Sequence, residues 1–204
     1  MKCIIIGAGN FNKEVIQKGN QDLLICADAG YIYAKKLNLA VDLLVGDFDS
    51  LTNIPSNINL YRLPKEKDET DLYISIEEGI KRGYQEFEIY GALGGRIEHS
   101  IANIQILSNI VAKGYKAKII DQNTTVEVLT PGVHIYSKEL QGYISLFSLN
   151  NESVISIKNL KYELNNITIT NLFPLGIDNE FVGLESYITI DKGMVLSIIN
   201  KKND

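Results

Sequence analysis

Two aspartates one residue apart, Asp47 and Asp49, close the apolar run VDLLVGDFDSL at residues 41–51. Carboxylates held that close repel each other unless a cation, an arginine or a shared proton offsets the charge. On an extended segment an i, i+2 pair points to one side. Hard oxygen donors so placed suit Mg²⁺, which takes one or two carboxylates together with substrate phosphate oxygens. The same Asp-x-Asp-Ser letters also write a turn whose side chains bond to the local backbone, and the motif by itself does not choose.

Two further clusters carry similar chemistry. In KEKDETD at 65–71, ahead of LYISIEEGIKRG, Asp68 and Asp71 share a face once a helix begins, and Lys67 or Thr70 could meet phosphate oxygens. The competing reading makes Asp68 the helix N-cap and Asp71 a first-turn acid favoured by the dipole. In GALGGRIEHSIAN at 91–103, Gly91, Gly94 and Gly95 lie between an apolar FEIY and a helix from Ile97. Glycines there admit phosphate oxygens to backbone N–H groups, and Arg96 adds a bidentate donor. A tight strand-to-helix connection would need the same glycines. Glu98 could join a metal shell or satisfy the helix dipole, and His99 follows it. Gly7-Ala8-Gly9 with Asp28 imitates a dinucleotide fingerprint, but its third glycine falls at Asn12, so a nicotinamide enzyme is disfavoured.

The elements that must position these residues change character along the chain. CIIIGAG, DLLICADAG, DLLVGDFDS, INLYRLP, FEIYGALGG and AKIIDQN are continuously apolar runs of the kind a parallel sheet covers on both faces. Between them, residues 31–37, 71–82 and 97–112 have helical spacing, with Leu72, Ile76 and Ile80, or Ile97, Ile101 and Ile104, on one side. After Asp121 the segments TTVEVLTPG, VHIYSK, YISLFSL, SVISIKNLKYEL, ITIT and SYITIDKGMVLSII are β-rich and broken by Pro-Gly, Asn-Asn and Asp-Lys-Gly. The expectation is an α/β domain over residues 1–122 and an antiparallel, sandwich-like or barrel-like domain over 123–204. The three clusters then fall at the carboxyl ends of parallel strands, where such folds bind ligands.

Composition narrows the partners. A net charge of −5 and a pI near 5.2 argue against duplex nucleic acid as the main partner. Three isoleucines before Gly7 are too few for a signal-peptide core, and no run reaches the length of a membrane span, so a cytoplasmic location is expected. Cys3 and Cys26 sit in apolar runs as core residues, and two histidines, His99 and His134, leave no His-rich zinc site.

Taken in order, ADAG at 27–30, DLLVGDFDSL at 42–51, KDETD at 67–71 and GALGGRIEHSIAN at 91–103 resemble the thiamine pyrophosphokinase family over nearly the whole chain. The resemblance implies a Rossmann-like parallel-sheet α/β catalytic domain, a C-terminal antiparallel β-sandwich, and a homodimer with sites between subunits. It also implies transfer of the pyrophosphoryl group of Mg·ATP to the thiamine hydroxyl, releasing AMP. On its motifs, Asp47, Asp49 and Asp71 are catalytic metal ligands, with Glu98 where the family usually has Asp. Lys67, Asp68, Thr70, Gly94, Gly95 and Arg96 face ATP. Asp28 and Asn179 are substrate-side residues, although Asp178 stands where the family usually has a small hydroxyl residue. Two other readings compete: a metal-dependent sugar-nucleotide glycosyltransferase, which leaves KDETD and the GGR loop unexplained, and a nucleotide or thiamine sensor without turnover.

Overall fold

The structure, a computed structural model, describes residues 1–11, 16–49, 51, 58–64, 66 and 68–202. Its contacts divide it into two compact units, Met1–Gln122 and Asn123–Asp204.

In the first unit the apolar runs form β1 (Cys3–Ile6), β2 (Leu23–Ala27), β3 (Leu43–Gly46), β4 (Asn59–Arg62), β5 (Glu86–Tyr90) and β6 (Lys116–Asp121). The helices are α1 (Gly30–Lys36), α2 (Asp71–Lys81) and α3 (Ile97–Ala112). The strands pair in parallel in the order β6-β5-β1-β2-β3-β4. Every residue of β1, β2 and β3 is buried, whereas the edge strand β4 is exposed along its length, as the continuous apolar runs require of central strands. The chain leaves β1 toward β2, β3 and β4 and returns to β5 on the other side of β1. The carboxyl ends of β1 and β5 therefore flank the topological switch point, where open α/β sheets bind ligands.

Two helical details differ from the spacing argument. The N-cap of α2 is Thr70, whose hydroxyl accepts from Tyr73 N at 3.2 Å, and not Asp68; Asp71 is the first-turn acid. In α3 the buried residues are Leu107 and Ile110, while Ile97 and Ile101 are 74% and 52% exposed. The apolar side of that helix meets the core only in its second half.

The second unit is antiparallel throughout. Its strands are β7 (Thr124–Leu129), β8 (Gly132–Tyr136), β9 (Gly142–Ser148), β10 (Glu152–Lys158), β11 (Leu164–Thr170), β12 (Gly176–Glu180), β13 (Ser186–Lys192) and β14 (Val195–Lys201). They form the arrays β12-β9-β14-β7 and β11-β10-β13-β8. One buried cluster draws on both arrays, with Ile144, Leu146 and Ile199 from the first and Ile155, Ile169 and Ile188 from the second. Strand β12, of sequence GIDNE, has no apolar alternation to mark it in the sequence. Cys3 and Cys26 are buried free thiols, and burial pushes the Cys3 thiol up to about 12. Among the described residues no helix is long and apolar enough to cross a membrane.

Acid is expected to weaken this fold through two carboxylates. Burial pushes Glu88 up, but hydrogen bonds from Lys2, at 2.5 Å, and from Lys118 outweigh it and leave its pKa below the usual value. Hydrogen bonds from Lys161 and Lys202 hold Glu180 at about 2. A carboxyl depressed on folding contributes stability that is present above its unfolded pKa and lost as pH falls through the folded one. The thermal midpoint should therefore fall from about pH 5 toward pH 2, and Glu88→Gln should flatten that fall. An unchanged slope in the variant would contradict the assignment.

Candidate functional site

The carboxyl ends of β2 and β3 bring three acids together. Asp28 follows β2, and its N–H extends the parallel pairing by donating to Val45 O at 2.8 Å. Asp47 and Asp49 follow β3. The ligand oxygens of Asp28, Asp47 and Asp49 all lie within 4.8 Å of one another, as a metal ion would require. The cluster depends on close passage of the backbones: a Cβ added at Gly46 would sit 3.3 Å from the Cα, Cβ and Oδ1 of Asp28.

The two aspartates of the motif converge by a turn and not by extension. Phe48 between them has a φ of 66°, a left-handed conformation that costs a non-glycine residue about 1–2 kcal/mol. Asp49 N donates to Asp47 Oδ1 at 2.9 Å, and Leu51 N donates to Phe48 O at 3.2 Å. The local turn and the metal-ligand grouping, which the letters offered as alternatives, are thus both present. Like charges at this separation repel by about 1–4 kcal/mol per pair between bulk water and an effective dielectric near 20. Three hard carboxylate oxygen donors at this spacing fit a divalent cation such as Mg²⁺.

Beside the acids lies a cavity of about 430 Å³, within the usual range for a small-molecule site. It is lined by Gly7, Ala8 and Gly9 after β1, by Asp28, by Thr70 and Asp71 at the start of α2, and by Gly91, Ala92, Gly94, Gly95, Arg96, His99 and Asn103. The loops after β1 and β5 are zipped together: Gly7 N donates to Tyr90 O at 2.8 Å, Gly9 N to Gly91 O at 2.8 Å, and Asn10 N to Leu93 O at 3.0 Å. Asn103 Nδ2 donates to Ala92 O at 2.7 Å and ties α3 to the second loop.

Thr70, Asp71, Gly94, Gly95 and Arg96 line the cavity, and Asp28 lines it while also joining the acid cluster. Glu98 is exposed and pairs with Arg96 at 3.3 Å, and Arg96 also bonds to His99. Neither Glu98 nor Asp71 belongs to the group of three acids. Asp68 is exposed, and Lys67, Asn12 and Ser50 lie outside the described residues. Cavity residues outside the sequence assignment include Gly7, Ala8, Gly9, Gly91, His99 and Asn103. The signal for the first three is the Gly-Ala-Gly turn itself, which a dinucleotide pattern fits only incompletely.

In the second unit Asn179 is 6% exposed. Its Oδ1 accepts from Tyr162 N at 3.0 Å and Glu180 N at 2.9 Å, while its Nδ2 donates to Tyr162 O at 2.7 Å. The amide grips both backbone polar groups of Tyr162, whose own side chain is 60% exposed. Asp178 is exposed, with a φ of 57° and its N–H on Ser145 Oγ at 3.2 Å.

Known proteins resemble this chain in sequence and fold. A family model described as the thiamin pyrophosphokinase catalytic domain matches residues 17–119, and one described as the thiamin pyrophosphokinase vitamin B1 binding domain matches residues 132–195. The chain is 29% identical to a thiamine pyrophosphokinase of Bacillus subtilis over 193 residues, 90% of this chain and 84% of that protein. The crystal structure of thiamine pyrophosphokinase from Bacillus subtilis superimposes with a TM-score of 0.87 at 27% identity, covering 99% of this chain and all of that one. The crystal structure of a thiamin pyrophosphokinase family protein from Enterococcus faecalis gives 0.86 at 27% identity, covering both chains fully.

Proposed function

Since the chain belongs to the thiamine pyrophosphokinase family, we propose that it transfers the pyrophosphoryl group of ATP to the hydroxyl of thiamine and does so at the cavity flanked by Asp28, Asp47 and Asp49. The observation that carries this placement is the convergence of three carboxylates beside a glycine-lined cavity at the switch point of a parallel sheet. In the reaction the thiamine hydroxyl oxygen attacks the β-phosphorus of ATP. The bond between the α,β-bridging oxygen and the β-phosphorus breaks, AMP leaves, and the hydroxyl proton is lost to solvent or a nearby base.

Asp28, Asp47 and Asp49 would hold Mg²⁺, which would supply positive charge to offset the negative charge developing on the transferred group. This assigns Asp28 to the metal as well as to the substrate side. The glycines after β1 and β5 let phosphate oxygens approach the backbone, and Arg96 at the start of α3 offers a cationic donor there. Thr70 and Asp71 border the same space. Lys67 and Asp68 belong to the same ATP-facing motif. Glu98 serves Arg96 in this reading, holding the guanidinium at the mouth of the loop.

The second unit supplies the thiamine side. Asn179 acts there through Tyr162: the buried amide fixes the backbone that presents an exposed ring, and an aromatic face suits a planar cationic heterocycle. Tyr162→Ala should raise the KM for thiamine by about 5-fold or more with the KM for ATP unchanged, on the order of the cation–π contribution. Asn179→Ala should do the same and also lower the thermal midpoint. Equal effects on both substrates would contradict this division of labour.

The reading includes a Rossmann-like first domain over 1–122, a β-sandwich second domain over 123–204 that binds thiamine and forms the dimer, and a cytoplasmic homodimer with composite sites. A chain that is fully active as a monomer would contradict the dimer. The reaction itself is tested by incubation with ATP, Mg²⁺ and thiamine followed by chromatography. Equal amounts of thiamine diphosphate and AMP are expected. ADP with thiamine monophosphate, or bound ligands without turnover, would overturn it.

A further inference from the structure

We infer that Arg62 is a positioning residue for the acid cluster and that it acts through the ring of Phe48; this inference rests on the metal-binding reading of Asp28, Asp47 and Asp49. Phe48 is the single residue between Asp47 and Asp49, and it holds a left-handed backbone conformation at a φ of 66°. Where its ring sits therefore sets where the two flanking carboxylates point. The ring is 3% exposed and packs in the cluster that contains Ile6, Leu24 and Leu44. Its other boundary is a cation, since the Arg62 guanidinium lies 5.1 Å from the ring centroid.

The register of the sheet produces this contact. Gly46 and Arg62 are the last residues of β3 and β4 and pair directly, and Leu63 N donates to Gly46 O at 2.9 Å, carrying the pairing one step further. An exposed edge strand thus delivers its one arginine to the residue that shapes the aspartate turn. Arg62 does not line the cavity, and the contact that joins it to the aspartate turn is the one with the Phe48 ring. A guanidinium over an aromatic face is an attractive, orienting contact, and it keeps a strained turn in the one arrangement that gathers the acids.

The sign of its effect on metal binding separates this role from simple electrostatics. Removing a positive charge near three carboxylates strengthens cation binding by Coulomb's law alone, whereas removing a clamp on their geometry weakens it. The test is titration of Mn²⁺ against the full chain, with free Mn²⁺ read by electron paramagnetic resonance and folding checked by circular dichroism. Arg62→Gln should weaken Mn²⁺ binding by about 2- to 5-fold, the range of a cation–π contact at an exposed site. Arg62→Lys should retain most of the affinity, and Arg62→Gln added to Phe48→Leu should cause no further weakening. Binding by Arg62→Gln as tight as wild type or tighter, with wild-type binding abolished by Asp47→Asn, would overturn this inference alone. Wild-type binding indifferent to Asp47→Asn would overturn the metal reading and this inference together.

Discussion

Asp47→Asn and Asp49→Asn are each expected to lower kcat by about 10²-fold or more while the chain folds normally. Both side chains sit on a turn beyond the end of β3, Asp47 half-buried and Asp49 exposed, so neither substitution opens a hole in the core. Each removes charge from a cluster whose oxygens lie within 4.8 Å of one another. In a site that neutralises charge on a transferring group, the loss falls on the transition state more than on the ground state. Asp28→Asn belongs to the same class, because the structure adds it to that cluster. Asp71→Asn separates site chemistry from helix electrostatics. As a first-turn charge alone it would cost about 0.3–1 kcal/mol of stability with the rate unchanged, whereas a role in the cavity it lines would show in kcat. Near-normal turnover of Asp47→Asn and Asp49→Asn at saturating Mg²⁺ would contradict the metal role.

Gly9→Ala should be nearly as damaging, by a different route. An added Cβ would lie 2.6 Å from Gly91 O and 2.8 Å from Leu93 O, both rigid backbone carbonyls. The loop after β1 would have to move off the loop after β5, breaking the hydrogen bonds that zip them and spreading two walls of the cavity. We expect the KM for ATP to rise by about 10-fold or more, equivalent to about 1.4 kcal/mol, together with a stability loss of about 1–3 kcal/mol from overpacking. Gly83→Ala is the matched control. Gly83 has a φ of 88°, a conformation that L side chains rarely adopt, but open space around its Cβ position. It should lose stability through backbone strain with the KM for ATP unchanged. A wild-type KM in Gly9→Ala would show that the zipped loops do not hold the nucleotide.

The parts of this fold written in local patterns were legible in the sequence. Helix α2 emerges at Asp71–Lys81 with Leu72 and Ile76 of its apolar spacing buried, and α3 emerges at Ile97–Ala112 although Ile97 and Ile101 of its apolar spacing face outward. The buried strands β1, β2 and β3 follow from uninterrupted apolar runs. What escaped depends on pairing between distant segments. Asp28 joins Asp47 and Asp49 only because β2 and β3 lie side by side and Gly46 lets their ends approach, and no local motif encodes that. Gly7 and Gly9 matter through the loop at residues 90–93, more than 80 positions away in the chain on the numbering, and not through a dinucleotide pattern. Strand β12 hides in GIDNE, whose polar letters satisfy no alternation, and the direction of the Asn179 amide toward Tyr162 is set by tertiary packing.

The central claim is that the acid cluster and the glycine-lined cavity form one metal and nucleotide site. Crystals grown with Mn²⁺ and a non-hydrolysable ATP analogue test it most directly, through the anomalous signal of the metal. The account predicts a manganese peak coordinated by oxygens of Asp28, Asp47 and Asp49, with phosphate density against Gly7–Gly9 and Gly94–Arg96. A peak bound elsewhere, or an analogue seated away from these loops, would contradict it.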